Sequence, residues 1–146
     1  MVVNIVNHQR RLALPVRLLR AAARLTLGRR RWQVALVFVT PAASRRLNRS
    51  YLGHDYAADV LSFDQTDGAK PAVELVICPA VAAANARAYG DSSDVELCRY
   101  VIHGLLHIMG YDDRRAVDCR RMWRRQEQLL RRVVASRKRT RKGAAR

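Results

Sequence analysis

The chain has 146 residues, 49% of them hydrophobic, which is enough to bury one core and build a single domain. No apolar run approaches the roughly 20 residues that span a bilayer, and arginines interrupt the apolar stretches of residues 1–30. We therefore expect neither a membrane span nor a signal peptide. The net charge of +16, from 28 Lys and Arg against 12 acidic residues, indicates a polyanionic partner.

The first half of the chain predicts two strands, each followed by a helix. Residues 2–6 are rich in β-branched side chains and predict the first strand. Pro15 opens a helix that continues to about residue 27, and the apolar residues 32–39 predict a buried strand. Thr40 then caps a helix that has proline at its first position and continues to about residue 51.

Two further strands are predicted at residues 60–63 and 73–78, with turn residues between them. A helix at residues 79–89 begins at a proline and is ended by a glycine. Ser93 and Glu96 form a capping box that opens a long apolar helix to residue 109. This apolar helix is expected to be central and well buried.

A final basic helix is predicted at about residues 115–134. The order of elements predicts an α+β fold, a single domain in which a small mixed four-stranded sheet is packed by about five helices. Residues 1–134 form this domain, and residues 135–146 form a basic tail with nothing to bury, which is expected to be disordered.

The central helix carries two histidines, His103 and His107, with Gly110 and Asp113 following. Four residues advance about 6 Å along a helix, so both imidazoles leave the same face and can converge on one ion. Gly110 can adopt the left-handed conformation that ends a helix and turns the chain back, which places Asp113 as a third ligand. Three protein ligands and one open position are typical of catalytic zinc. The sequence therefore predicts a metal site on this helix and the turn after it.

Gly104 distinguishes this motif from that of the zinc peptidases, which carry a glutamate base directly after the first histidine. No carboxylate replaces that base here, so a metallopeptidase is a less favoured interpretation. The three cysteines, Cys78, Cys98 and Cys119, are widely spaced and form no Cys-x-x-Cys pair. They are typical of reduced, mostly buried thiols in a cytosolic protein.

Positive charge is concentrated in residues 114–146, which hold fourteen Lys and Arg against two acidic residues. Arginine contacts to phosphates give sequence-independent affinity for nucleic acid. Nucleic acid is therefore the first candidate partner, and an anionic membrane surface the second. The candidate RNA-binding residues are Arg120, Arg121, Arg124, Arg125, Arg131, Arg132, Arg137, Lys138 and Arg139.

Three stretches resemble the YbeY family, the bacterial metal-dependent endoribonucleases of rRNA maturation. They are residues 47–55 (LNRSYLGHD), residues 59–63 (DVLSF) and residues 103–113 (HGLLHIMGYDD). The resemblance spans about residues 1–133, and the third motif is the most specific. It implies a cytoplasmic, zinc-binding endoribonuclease that cuts single-stranded RNA, matures the 3′ end of small-subunit rRNA and acts with the small subunit in ribosome quality control.

By position, the family's zinc ligands fall on His103, His107 and Asp113, with Asp112 as an adjacent alternative. Asp113 stands where the family has histidine. A carboxylate is a legitimate zinc ligand, but its negative charge makes a bound water less acidic and suits harder metals such as Mn²⁺. Leu52 stands where the family commonly has a functional arginine. Arg49, one helical turn earlier, is the candidate for that phosphate contact.

Two other polar residues are weaker candidates in the same motifs. His54 is a candidate proton shuttle, although a solvated loop histidine is the favoured interpretation, and Ser62 is a candidate for the wall of the cleft. The alternative to an enzyme is a non-catalytic ribosome-binding factor in which the metal is only structural. The oligomeric state is not predicted.

Overall fold

The computed structural model describes residues 1–52 and 60–144, apart from the side chains of Leu52, Thr140 and Ala144. The strands are β1 (Val2–Asn7), β2 (Gln33–Phe38), β3 (Val60–Asp64) and β4 (Ala72–Ile77). The helices are α1 (Val16–Leu27), α2 (Pro41–Leu52), α3 (Pro79–Tyr89), α4 (Ser93–Ile108) and α5 (Ala116–Ala144). This order confirms the predicted α+β fold.

The four strands form one mixed sheet in the order β1-β2-β4-β3. β1, β2 and β4 are parallel, whereas β3 runs antiparallel to β4. Parallel neighbours need a crossover, which α1 provides between β1 and β2. A turn joins β3 to β4. β3 is an edge strand because it is the last in the strand order, and it contacts α4.

Alternating side chains divide the core between the two faces of the sheet. Val34, Leu36 and Phe38 of β2 belong to the main core, which includes buried residues of α1, α4 and α5. A smaller cluster on Val39, Leu61 and Val76 packs against α2. Successive side chains of a strand point to opposite faces, so a sheet that is covered on both faces contributes apolar side chains to both clusters. α4 touches α1, α3, α5, β3 and β4, so it is the central helix that the sequence predicted.

The N-terminus of α4 begins one residue earlier than predicted. The side chain of Ser92, not Ser93, accepts a hydrogen bond from the Val95 backbone N–H at 3.2 Å. The predicted capping box is therefore wrong. The Glu96 carboxylate pairs with Arg99, one turn along α4, at 2.5 Å.

The C-terminus of α4 ends as predicted, at a glycine of positive φ. Gly110 has φ of 103°, its N–H donates to the His107 carbonyl, and the Tyr111 N–H donates to the Leu106 carbonyl. These two bonds form a Schellman motif, which satisfies carbonyls that would otherwise lack donors. The motif turns the chain sharply, and the turn brings Asp113 back to the end of α4.

The last helix runs well beyond its predicted end at residue 134 and reaches Ala144. Where the sequence predicted a disordered tail, residues 135–144 continue α5 in the structure. Arg137 contributes to this continuation because its guanidinium pairs with Asp94 of α4 at 3.3 Å. Within the described ranges, no helix is both long and apolar enough to cross a membrane.

The cysteines differ in their surroundings. Cys78 and Cys98 are buried, whereas Cys119 on α5 is exposed. Burial, assisted by the negative charge of Asp94, raises the pKa of the Cys98 thiol to about 12, and Arg137 opposes this shift. The Cys98 thiol is therefore protonated and unreactive in the folded protein.

Candidate active site

A pocket of about 280 Å³ lies between the C-terminal half of α4 and the edge strand β3. It brings together the three predicted metal ligands, one from each end of the HGLLH segment and one from the turn after α4. A run of β3 forms the opposite wall. The lining residues are Tyr51, Val60, Leu61, Ser62, Phe63, His103, His107 and Asp113.

His103 is half-buried, and its ring is held by a hydrogen bond to α5. Its Nδ1 lies 2.8 Å from Oε1 of Gln126, a residue that is only 3% exposed. An amide oxygen can only accept, so Nδ1 carries the proton in this contact. Nε2 is then the ring nitrogen with a free lone pair. Metal-binding histidines almost always show this pattern, in which one nitrogen donates to a supporting group and the other binds the ion.

Gln126 is in turn held by a cluster of charged residues behind it. Its Nε2 donates to Glu127 Oε2 at 3.3 Å, and Arg99 Nη2 donates to Glu127 Oε1 at 3.0 Å. Arg99 also pairs with Asp91 at 3.1 Å and with Glu96. Burial alone would lower the pKa of Arg99, but the three carboxylates outweigh it and raise that pKa. Arg99 is therefore a permanent cation that joins α4 to α5.

His107 and Asp113 are held less tightly than His103. Both side chains are exposed, and neither ring nor carboxylate has a hydrogen-bond partner in the part of the chain that the structure describes. Asp112 faces a neighbouring depression, where its carboxylate accepts from the Arg114 N–H at 3.0 Å. Of the two adjacent aspartates, only Asp113 lines the pocket with the histidines.

The donor chemistry fits a zinc-like ion, because two imidazoles and one carboxylate share a pocket and the Nε2 atom of His103 is free. The side chains are not yet gathered around one point. Across residues 1–52 and 60–144, no group of three His, Cys, Asp or Glu side chains is close enough to hold a metal. His103, His107 and Asp113 would therefore hold an ion only after a change in their side-chain positions.

Gly104 stands where zinc peptidases carry their glutamate base, and it packs closely against the sheet. A Cβ at this position would lie 3.0 Å from Leu75 Cδ2 and 3.1 Å from Ser62 Oγ. Position 104 thus faces the sheet at close approach, where an added Cβ would require the side chain of Leu75 or Ser62 to shift by a few tenths of an ångström. The Ser62 hydroxyl points to the Gly104 carbonyl at 3.5 Å, so Ser62 lines the pocket and also contacts the helix backbone.

Three further residues from the same motifs are Arg49, Leu52 and His54. Arg49 is exposed on α2 and is not among the described residues that line the pocket, although Tyr51, two residues later, is. The Tyr51 ring packs edge-on against Phe63 at 5.1 Å between centroids. Leu52 ends α2, but its side chain is outside the described residues, and so is His54.

Eight of the nine candidate RNA-binding residues lie on one side of α5. Successive helix residues are rotated by about 100°, so these eight fall within an arc of about 140°. All are exposed except Arg125, which is half-buried. We call this surface the basic face: Arg120, Arg121, Arg124, Arg125, Arg131, Arg132, Lys138 and Arg139.

The basic face begins beside the turn that carries Asp113. The Arg121 guanidinium lies 5.8 Å from the centre of the Tyr111 ring, a cation–π contact. Tyr111, Arg121, Arg124 and Arg131 also line one shallow depression. Arg137, the ninth candidate, points to the other side of α5, where it is half-buried and paired with Asp94. It therefore does not belong to the basic face.

Sequence reasoning missed Gln126. A signal was present, because Met122, Gln126, Leu129 and Val133 recur at helical spacing and all four are buried. A glutamine in an otherwise apolar stripe indicates a buried hydrogen-bond partner. Its partner, His103, lies on another helix 23 residues away, so the sequence could not identify the pair.

Known proteins resemble this chain in both sequence and fold. The family model described as "Endoribonuclease YbeY" matches residues 4–134. A curated protein named "Endoribonuclease YbeY" from Chlorobium luteolum is 40% identical over 103 residues, which cover 70% of this chain and 75% of that protein. A protein of the same name from Anaeromyxobacter sp. is 42% identical over 116 residues, covering 77% of this chain and 60% of that protein.

The fold also matches a solved structure. The solution structure of TM1509 from Thermotoga maritima aligns with a TM-score of 0.66 and 24% sequence identity. The alignment covers 95% of this chain and 93% of that chain, so it extends across the whole domain. At this identity the structure supports the fold, and the sequence relatives support the family. From the match over residues 4–134 and these relatives, the chain belongs to the YbeY endoribonuclease family.

Proposed function

We propose that this chain is a metal-dependent endoribonuclease that cuts single-stranded RNA. The observation that carries the proposal is that His103, His107 and Asp113 share one pocket, and that Tyr111, two residues before Asp113, contacts Arg121 of the basic face. Such a pocket offers metal ligands, and such a face offers phosphate contacts. Membership of a family whose curated members are named endoribonucleases supports the same conclusion.

His103, His107 and Asp113 would hold the ion. When bound, a divalent ion supplies Lewis acidity toward water and toward a phosphoryl oxygen of the substrate. The roles of the protein side chains then follow from their positions. His103 keeps its proton on Nδ1 because that nitrogen donates to Gln126. His107 and Asp113 are exposed, so the pocket is open to an RNA strand that arrives from solvent.

The basic face would bind the RNA backbone and direct it to the pocket. Arg121 is stacked on Tyr111, two residues before Asp113, so a phosphate held by Arg121 is close to the turn that carries this ligand. Bases of single-stranded RNA can stack on exposed aromatic rings, and Tyr51 at the pocket is 65% exposed. A duplex keeps its bases stacked inside and cannot use this ring. Arg49 remains the candidate for a phosphate contact on the α2 side.

The ion is proposed to be Zn²⁺, with Mn²⁺ as an alternative because Asp113 contributes an oxygen where relatives contribute nitrogen. Family membership supports a role in rRNA processing. We further propose action at the 3′ end of small-subunit rRNA, with the small ribosomal subunit as partner, a part in ribosome quality control, and a cytoplasmic location.

Cleavage assays on matched RNAs would test the proposal. The purified protein is incubated with a single-stranded RNA and with its duplex form, in Zn²⁺, Mn²⁺ or a chelator. His107→Ala is assayed beside the wild type, and circular dichroism confirms that it is folded. We expect cleavage of the single strand in the presence of metal, and a loss of about 100-fold or more in His107→Ala, because a metal ligand is removed.

Two outcomes would contradict the enzyme. Equal RNA binding by both proteins without cleavage by either would favour the alternative, a non-catalytic rRNA-binding factor with a structural metal. Cleavage that persists in chelator and in His107→Ala would place the reaction elsewhere. A peptidase is disfavoured because Gly104 stands directly after the first histidine, where zinc peptidases carry their glutamate base. Digestion of an unfolded protein substrate would overturn that exclusion.

A further inference from the structure

Gln126 is a buried polar residue among apolar neighbours on α5. It lies on the inner stripe of α5 between Met122 and Leu129, and only 3% of its surface is exposed. Burying an amide without hydrogen bonds costs roughly 1–3 kcal/mol on scales from protein mutants. Both ends of this amide are in fact used, one by His103 and the other by Glu127. The Gln126 side chain therefore joins His103 to Glu127 inside the packed interface of α4 and α5.

The two contacts fix the orientation of the amide. Glu127 is an ionised carboxylate that only accepts hydrogen bonds, so the NH₂ end of Gln126 must face it. The oxygen end must then face His103 Nδ1, at 2.8 Å. A flipped amide would oppose NH₂ to the ring nitrogen and oxygen to the carboxylate, and the second contact would be repulsive.

Glu127 is itself fixed, because Arg99 donates to both of its oxygens at 3.0 to 3.3 Å. The same guanidinium pairs with Asp91 and Glu96 near the start of α4. The side chains of Arg99 and Glu127 are 16% and 18% exposed, so solvent screens this pair only partly. A chain of contacts thus leads from α4 through Arg99, Glu127 and Gln126 back to His103, one helical turn further along α4.

We propose that Gln126 is a positioning residue that holds His103 as its Nδ1–H tautomer, so that Nε2 is the nitrogen available to a metal ion. Glu127 and Arg99 hold the Gln126 amide in the one orientation that does this. The inference rests on the proposed function, because it assumes that His103 binds the ion. It adds a requirement on two helices that the ligand motif alone does not contain.

Two variants separate acceptance of a hydrogen bond from mere filling of space. Gln126→Met keeps a long flexible side chain but removes the acceptor. The Gln126→Glu variant, which also carries Glu127→Gln so that two carboxylates do not face each other, keeps an acceptor for the Nδ1 proton. Gln128→Met is the matched control, because Gln128 lies two residues later on α5, is exposed, and accepts a hydrogen bond from Arg125 at 2.8 Å rather than contacting His103.

The first readout is the tautomer of His103 in the metal-free protein, measured by long-range ¹H–¹⁵N NMR of the imidazole rings above about pH 8, where an ordinary histidine is neutral. We expect the Nδ1–H tautomer in the wild type, in Gln126→Glu and in Gln128→Met, and a mixture in Gln126→Met. A wild-type His103 that carries its proton on Nε2 would overturn the inference. This wild-type spectrum decides even if Gln126→Met does not fold.

The second readout is the zinc dissociation constant, measured by competition with a chromophoric chelator. Loss of the group that supports a metal-binding histidine typically weakens binding by about 10–100-fold, and we expect that range for Gln126→Met. Gln126→Glu should recover most of the affinity, and Gln128→Met should match the wild type. A folded Gln126→Met that binds zinc as tightly as the wild type would overturn the inference.

The outcomes distinguish this inference from the proposed function. A wild type that binds zinc and cuts RNA, with the proton on Nε2 or with no effect of Gln126→Met, would overturn the role of Gln126 alone. A wild type that binds no zinc would overturn both. Retained tautomer control with zinc binding but no RNA cleavage would support the role of Gln126 and contradict the nuclease.

Discussion

The two histidines of the pocket stand four residues apart on one helix, yet they are held in opposite ways. His103 is half-buried and linked through Gln126 to Glu127 and Arg99. His107 is exposed, and Asp113 beyond it is exposed as well. The pocket therefore has an anchored half, built by the packing of α4 against α5, and an open half at the end of α4. The proposed metal ion and RNA would enter from the open half.

The anchored half should be the more sensitive to substitution in its effect on stability. Arg99→Met leaves Asp91, Glu96 and Glu127 without their shared cation, and Glu96 is only 4% exposed. Breaking a buried ion pair by removing one partner costs about 3–5 kcal/mol, and the partial exposure here favours the lower end, about 3 kcal/mol. Urea denaturation at neutral pH measures the difference.

Arg114→Met is the matched control for that loss. Arg114 is paired with Asp112 at 3.9 Å in the open half, and its side chain is 88% exposed. Exposed pairs contribute about 0–1 kcal/mol, so little change in the free energy of unfolding is expected. Similar losses in the two variants would remove the distinction between the halves.

Close packing of α4 on the sheet gives a second test of the anchored half. In Gly104→Ala, the new methyl group would lie 3.0 Å from Leu75 Cδ2 and 3.1 Å from Ser62 Oγ. Overpacking costs about 1–3 kcal/mol, and the higher helix propensity of alanine returns about 1 kcal/mol, so a net loss of up to about 2 kcal/mol is expected. Thermal unfolding should show a lower Tm.

The control for this change is Gly143→Ala, also within a helix. Apart from its chain neighbours and the backbone of its own helix, no atom of the described residues lies within 4 Å of a Cβ at position 143. Only the propensity term then applies, and the variant should be neutral or up to about 1 kcal/mol more stable. Equal Tm shifts in the two glycine variants would show that α4 does not need its close approach to β4.

The basic face should control RNA affinity without affecting either half of the pocket. The triple variant Arg120→Gln, Arg124→Gln, Arg131→Gln removes three exposed charges from α5. Each phosphate contact contributes about 0.7 to the slope of log K against log salt for single strands, so the slope should flatten by about 2. Fluorescence anisotropy over a salt series measures it. The same charge change at Arg11, Arg17 and Arg29, exposed and outside α5, should alter the slope by less than half as much.

The smallest expected effect concerns thiol reactivity. Cys119 is exposed, whereas Cys78 and Cys98 are buried, and burial raises the pKa of Cys98 to about 12. A thiol reagent at pH 8 should therefore modify one cysteine of the native chain and all three in denaturant. Rapid modification of Cys98 in the native protein would contradict the close packing of α4 on α5.

Local sequence features predicted most of the fold because the element boundaries are set locally. Pro41 and Pro79 open helices where expected, and Gly110 turns the chain after α4. The errors arose where tertiary contacts decide. Ser92 and Ser93 can both cap a helix, and nothing local favours Ser92. The extension of α5 to Ala144 depends partly on the contact of Arg137 with Asp94 of another helix.

The same distinction between local sequence features and tertiary contacts applies to the residues of the site. His103, His107 and Asp113 lie within eleven residues, so helical spacing and a glycine stop were enough to predict their shared pocket. Gln126 belongs to another helix, and its part in the site depends on how α4 and α5 pack. The spacing of the family motif favoured Asp113 over Asp112; in the structure Asp113 lines the pocket, whereas the Asp112 carboxylate accepts a hydrogen bond from the Arg114 N–H.

The most direct test of the central claim compares the two adjacent aspartates in cleavage of single-stranded RNA. Asp113→Ala removes a proposed ligand, whereas Asp112→Ala removes a carboxylate that faces a neighbouring depression. We expect a loss of about 100-fold for Asp113→Ala at saturating Zn²⁺ or Mn²⁺, and a change of less than about threefold for Asp112→Ala. Full activity of Asp113→Ala, or a larger loss in Asp112→Ala, would contradict that claim.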